Sequence, residues 1–66
     1  MDFRIEFEQE EDGRWIAEIP ELPGVMAYGA TKGESEAAVE ALALRVIADR
    51  IETEKVGHKT ISFASV

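Results

Sequence analysis

The stretch Phe3-Arg4-Ile5-Glu6-Phe7-Glu8-Gln9-Glu10-Glu11-Asp12-Gly13-Arg14-Trp15-Ile16-Ala17-Glu18-Ile19 decides how this chain folds. Phe3, Ile5 and Phe7 alternate with Arg4, Glu6 and Glu8, the period-two pattern of a strand with one face in a core and the other in water. The acidic run from Glu8 interrupts that pattern, and Asp12-Gly13 supplies the residue pair that tolerates positive φ in a hairpin turn. Trp15, Ala17 and Ile19 then alternate with Ile16 and Glu18. A second strand over 15–19 therefore folds back antiparallel to the first, its register helped by cross-strand aromatic pairing of Trp15 with Phe3 or Phe7.

Outward from this hairpin, Pro20-Glu21-Leu22-Pro23-Gly24 cannot continue a central strand, because two prolines remove ladder donors and Gly24 permits a left-handed turn. A third short strand, Val25-Met26-Ala27-Tyr28, follows and stops at Gly29. Three strands joined by short loops form a meander, and its apolar face needs a cover. Thr31 followed three residues later by Glu34 has the spacing of a capping box, in which each side chain satisfies the other's free backbone N–H. From Glu34 to about Glu52 the residues are good helix formers without proline.

Two apolar stripes run along this helix at three-and-four spacing. Ala38, Val39, Leu42 and Val46 form one; Ala37, Ala41, Leu44, Ala48 and Ile51 form the other. One stripe suffices to cover a sheet. The second is a candidate oligomer surface, or else the helix beds deeply against sheet and tail. Gly57 is a candidate turn or cap, and Lys59 to Ala64 reads as a fourth strand, on a sheet edge or paired with another subunit. The expected fold class is α+β: a single domain over 1–66 with the order β-β-β-α-β, a three-stranded antiparallel meander covered by one helix plus a C-terminal strand.

Composition narrows the function. A 66-residue chain buries only about 60% of the surface its unfolded form exposes, and chains of this size often add disulfides, a metal or a partner subunit. The absence of cysteine excludes crosslinks and thiolate metal sites and leaves oligomerisation open. Fourteen acidic residues against seven basic ones give a net charge of −7, which disfavours direct nucleic-acid binding and contact with anionic lipid and attracts a basic partner. Met1-Asp2-Phe3-Arg4-Ile5-Glu6 has no basic n-region and no unbroken apolar run, so no signal peptide is expected. The apolar-rich segment 37–48 is interrupted by Glu40 and Arg45 and is too short to span a bilayer. A cytoplasmic protein is expected.

Catalytic chemistry has little to stand on. His58, the one imidazole, sits in a polar connector beside Lys59 and reads as a solvated surface residue. Ser35, Ser62 and Ser65 fit no nucleophile elbow, and Ser35 reads as a small helix residue facing the sheet. The carboxylates of Glu8, Glu10, Glu11 and Asp12 lack the ligand spacing of a calcium loop. Gly24, Gly29 and Gly33 are too widely separated for a phosphate cradle. Trp15 reads as a core residue rather than a base-stacking platform, since no basic groove accompanies it. No catalytic residue, metal or cofactor is expected.

Glu11-Asp12-Gly13-Arg14-Trp15, the connector Pro20-Glu21-Leu22-Pro23-Gly24-Val25, then Gly29, Thr31 and the Ala-rich helix beginning Glu34-Ser35-Glu36-Ala37 together resemble the HicB-like antitoxin family. Its members carry an acidic-Gly-aromatic hairpin, a Pro-x-Leu-Pro-Gly connector and a Gly-x-Thr-x-x-Glu helix start. The resemblance covers Phe3 to roughly Leu42, about two thirds of the chain, and its specificity lies in the connector and the capped helix together. It implies a partial RNase H-like fold without the nuclease's catalytic carboxylates. It also implies a partner: a small basic HicA-like toxin, an mRNA-cleaving enzyme with a double-stranded-RNA-binding-like fold, whose active site the antitoxin blocks. Many HicB antitoxins continue into a DNA-binding domain; residues 1–66 carry no such segment, and regulation through DNA is not expected of them.

The expected contact surface is the acidic hairpin, Glu8, Glu10, Glu11 and Asp12, with the loop Glu21, Leu22, Pro23 and Gly24. The expected assembly is a homo-oligomer through Ala37, Ala41, Leu44, Ala48 and Ile51. The alternative function is an orphan self-associating structural or interaction protein with no toxin partner.

Overall fold

A computed structural model describes residues 1–55, 57 and 60–65. His58, and Lys59 as the first residue of the expected last strand, lie outside the described residues. The elements run β1 (Asp2–Gln9), β2 (Trp15–Glu18), β3 (Met26–Gly29), α1 (Lys32–Glu54) and β4 (Ser62–Ser65). The fold is α+β, in the order β-β-β-α-β. The sheet is four-stranded in the order β3-β2-β1-β4; β1, β2 and β3 form an antiparallel meander, and β4 adds to β1 in parallel. Helix α1 packs over β3 and β2, within the connection that joins the two edge strands of the sheet. The last strand takes the edge position that was one of its two expected places.

The register follows from the hairpin. Gly13 takes φ +91° and its N–H donates to the Glu10 carbonyl at 2.9 Å, while the Glu10 N–H donates to the Arg14 carbonyl at 2.7 Å. These bonds set Phe7 opposite Ala17 and Gln9 opposite Trp15. Trp15 therefore does not stand opposite an aromatic residue. It is half-buried rather than a core residue, because it ends the sheet where Lys32, 5.9 Å from its ring centroid and 4.7 Å from that of Phe7, supplies the cover. The aromatic contact of the sheet is instead Phe3 on Phe63, stacked at 5.8 Å.

On the covered face, Phe3, Ile5, Ala17, Ile19, Leu22 and Val25 pack against Val39, Ala43 and Ile47 of the helix. Burying each of the larger side chains contributes roughly 1.5–3 kcal/mol before conformational entropy is subtracted. The connector after β2 is part of this core. Ile19 and Val25 continue the pairing through a 3.0 Å bond from the Ile19 N–H to the Val25 carbonyl, and Leu22 donates back to Ile19 and accepts from Val25 at 3.0 Å each. This tight loop, with Gly24 at φ +83°, turns the Leu22 side chain inward.

Helix α1 begins as the Thr31 and Glu34 spacing predicts, with one difference. The Thr31 hydroxyl accepts from the Glu34 N–H at 3.1 Å, but the Glu34 carboxylate reaches past the cap to the Ala30 N–H at 3.0 Å. The inward line of the helix is Ser35, Val39, Ala43 and Ile47, a run at spacing four in which only Val39 belonged to the expected stripe. Ala38, Leu42 and Val46 flank it half-buried. Ser35, as expected, faces the sheet; it is wholly buried, its hydroxyl donating to the Lys32 carbonyl at 2.7 Å. The helix start passes so close to β3 that a Cβ at position 29 would lie 2.4 Å from the Ser35 backbone nitrogen, so that position must be glycine. At its other end the helix stops at Lys55 rather than Gly57. Lys55 adopts the left-handed conformation and donates to the Ile51 carbonyl at 2.8 Å.

Candidate functional site

The residues expected as one contact surface are not brought together. Glu10, Glu11 and Asp12 form the tip of the β1–β2 hairpin, whereas residues 21–24 lie beyond the opposite end of β2. Glu21 touches β1 at Arg4, and from there to Glu10 is six residues of strand, about 20 Å. Glu8 belongs to neither cluster: it stands in β1, opposite Ile16. Leu22 is 2% exposed within the core, so its side chain is not a surface contact and the connector offers Glu21, Pro23 and Gly24.

Both clusters bind their own arginine. Asp12 accepts from the Arg14 N–H at 3.0 Å and from its Nε at 2.8 Å, and the Arg14 guanidinium lies 4.8 Å from the Tyr28 ring centroid. The Arg14 backbone N–H, joined by the guanidinium, holds the Asp12 carboxyl below its usual range. Glu21 is also lowered, first by its own backbone N–H and then by the N–H and charge of Arg4, which it meets at 3.1 Å and 3.6 Å respectively. A carboxyl lowered in the folded state stabilises it above the ordinary carboxylate range and loses that contribution as pH falls through the lowered value.

Between these ends lies the uncovered face of the sheet. Because side chains alternate along each strand, the partners of the core residues point away from the helix: Glu6 and Glu8 from β1, Ile16 and Glu18 from β2, Met26 and Tyr28 from β3. The register stands Glu8, Ile16 and Tyr28 side by side in one row and Glu6, Glu18 and Met26 in the next. Glu6 and Glu18 are thus directly opposed like charges, a destabilising arrangement in an antiparallel pair. Met26 and Tyr28 are 44% and 50% exposed. A shallow depression of about 150 Å³ is lined by Glu6, Phe7, Glu8, Ile16, Glu18 and Met26.

Of this face, sequence reasoning singled out only Glu8. The signal for the rest lies in the phase of the two strands: Phe7 and Ala17 share the covered face only if odd positions pair with odd ones, which a three-residue loop over 11–13 closed by Glu10 and Arg14 provides, and counting back from that pair sets Glu6 against Glu18. On the far side of the molecule, Ala37, Ala41, Leu44 and Ala48 line the exposed outer surface of α1, as the second stripe requires. Ile51 does not join them, because it continues the inward run from Ile47 and is half-buried against the core.

Among the described residues no three His, Cys, Asp or Glu side chains converge as a metal site, and no helix is long and apolar enough to cross a membrane. No protein-family model, curated protein or solved structure matches the chain significantly.

Proposed function

We propose that the chain is a HicB-like antitoxin module, a cytoplasmic non-enzymatic domain that binds a small basic mRNA-cleaving toxin and occludes its active site. One observation carries this reading beyond the sequence resemblance: the acidic excess lies on the surface and is left unneutralised. Among the described residues, ion pairs join only Arg4 to Glu6 and Glu21, and Arg14 to Asp12. An enzyme that cleaves RNA must present cationic groups to phosphate, and a surface rich in free carboxylates competes for those groups. The β-β-β-α-β layout also agrees with the partial RNase H-like fold that the resemblance implies.

The test is co-expression with a HicA-like toxin encoded beside this chain. Growth should be restored, and a stoichiometric complex should survive moderate salt and dissociate in high salt. Continued growth arrest, with the toxin recovered free of this chain, overturns the reading.

A second reading, self-association without a toxin, is favoured by the outer surface of α1, where Leu44 is 47% exposed among Ala37, Ala41 and Ala48. Small residues at that spacing allow another helix to approach closely. Leu44→Glu should then convert an oligomer to monomer by light scattering, and an unchanged mass would discard this interface.

A further inference from the structure

We propose that the uncovered face of the sheet is where the partner docks, and that it receives an extended cationic segment in which Lys or Arg alternates with apolar residues. The proposal rests on the reading of the chain as a binder of a basic protein and adds the surface and the chemistry of the segment. Three features of the face point to this occupant.

The first is that its charges oppose each other. Glu6 stands across from Glu18, with Glu8 one row further along. A sheet face shaped by stability alone places opposite charges or threonines across from one another. Arg4 pairs with Glu6 at 3.9 Å while also bonding Glu21, and Arg14 is held by Asp12 and lies on Tyr28; among the described residues Glu8 and Glu18 have no cationic partner. A cation from outside the chain removes the repulsion.

The second is that the carboxylates flank apolar surface. In the row Glu8, Ile16, Tyr28 and in the row Glu6, Glu18, Met26, acid on the β1 side gives way to apolar side chains on the β3 side. Lysine and arginine side chains match such a gradient, since their methylenes pack on apolar atoms while the charged head extends beyond them. An isolated metal ion or a polyamine would leave Met26 and Tyr28 uncovered, and a nucleic acid would bring phosphates against three carboxylates.

The third is shape. The depression at the centre, about 150 Å³, admits one side chain and not a folded ligand. Three strands at a spacing of about 4.8 Å offer a platform roughly 10 Å wide, the breadth of a single extended segment. The alternation of such a segment presents every second side chain to the sheet, as strand geometry requires.

The test is an amide-resonance titration of the isotopically labelled chain with two ligands, the HicA-like toxin and a synthetic hexapeptide alternating arginine and valine. Perturbations should gather on Glu6, Glu8, Ile16, Glu18, Met26 and Tyr28. Glu18→Lys replaces a repulsive cross-strand pair by an attractive one, so the variant stays folded, and it should weaken both ligands at least ~10-fold. Met26→Ser, which changes no charge, should weaken them about threefold. Charge reversal at the hairpin tip, Glu11→Lys, should change affinity less than about twofold.

If the toxin binds with unchanged affinity to Glu18→Lys, or perturbs only the hairpin tip or α1, the docking face is wrong while the antitoxin reading stands. If the peptide occupies the face and the toxin does not bind, the antitoxin reading falls and the docking face stands. If neither ligand perturbs the face, the docking proposal is overturned.

Discussion

The two faces of the sheet are made from the same strands one residue out of step, and they follow different physics. On one side Phe3, Ile5, Ala17 and Ile19 are sealed beneath the helix, and small residues appear where the backbones approach, as at Gly29 and Ser35. On the other, Glu6 and Glu18 oppose each other while Met26 and Tyr28 stay half in water. The covered face resolves its local conflicts; the open one keeps them. Unresolved conflict concentrated on one surface marks where selection acted on something besides stability.

Alanine substitutions on opposite sides of the β2 segment would break this comparison most directly. Ile19→Ala deletes a side chain buried without exposure and should cost about 3 kcal/mol in urea unfolding, against a total stability on the order of 5 kcal/mol for a chain of this length. Ile16→Ala removes the same atoms from the open face, where the side chain is already half-solvated, and should cost about 1 kcal/mol. Equal losses would mean that the two faces are not energetically distinct. The smallest effect has the opposite sign. Glu18→Gln should stabilise the fold by about 0.3 kcal/mol at low ionic strength, a gain that fades as added salt screens the pair; a loss of stability would show that Glu18 is satisfied in the free protein.

Most of the fold was legible in the hairpin and the helix start, where local chemistry leaves few choices. Phe3, Ile5 and Phe7 alternate, Asp12-Gly13 turns, and Thr31 with Glu34 opens the helix. The phase of that helix was harder. So many of its residues are alanine, leucine or valine that several stripes satisfy a periodicity argument. The true inward line starts at a serine, beside a close approach of the helix backbone to Gly29 that no local pattern announces. Ile51 fits the outward stripe by spacing for the same reason, although it packs inward. The connector is only partly legible, because Pro20 to Gly24 looks like a surface loop until backbone bonds at Ile19 and Val25 fold Leu22 into the core. The proposed open-face site is legible in principle through strand register, but the densest run of acids stands at the hairpin tip, where Asp12 is engaged by Arg14.

The parallel pairing of β4 with β1 has a consequence for the order in which the molecule assembles. Asp2 meets Ser62 and Phe3 meets Phe63, and the terminal ammonium of Met1 donates to the Thr60 carbonyl at 2.8 Å across 59 positions of sequence. Closing a loop of that length is entropically the most demanding step in the fold. Hairpin and helix contacts, which span shorter separations, can be in place first and shorten it. The last strand then arrives late in folding and departs early in unfolding. Each time it leaves, the amides and carbonyls of Asp2 to Ile5 face water as an open strand edge, so the time spent without β4 sets how often the chain is exposed to pairing with the wrong neighbour.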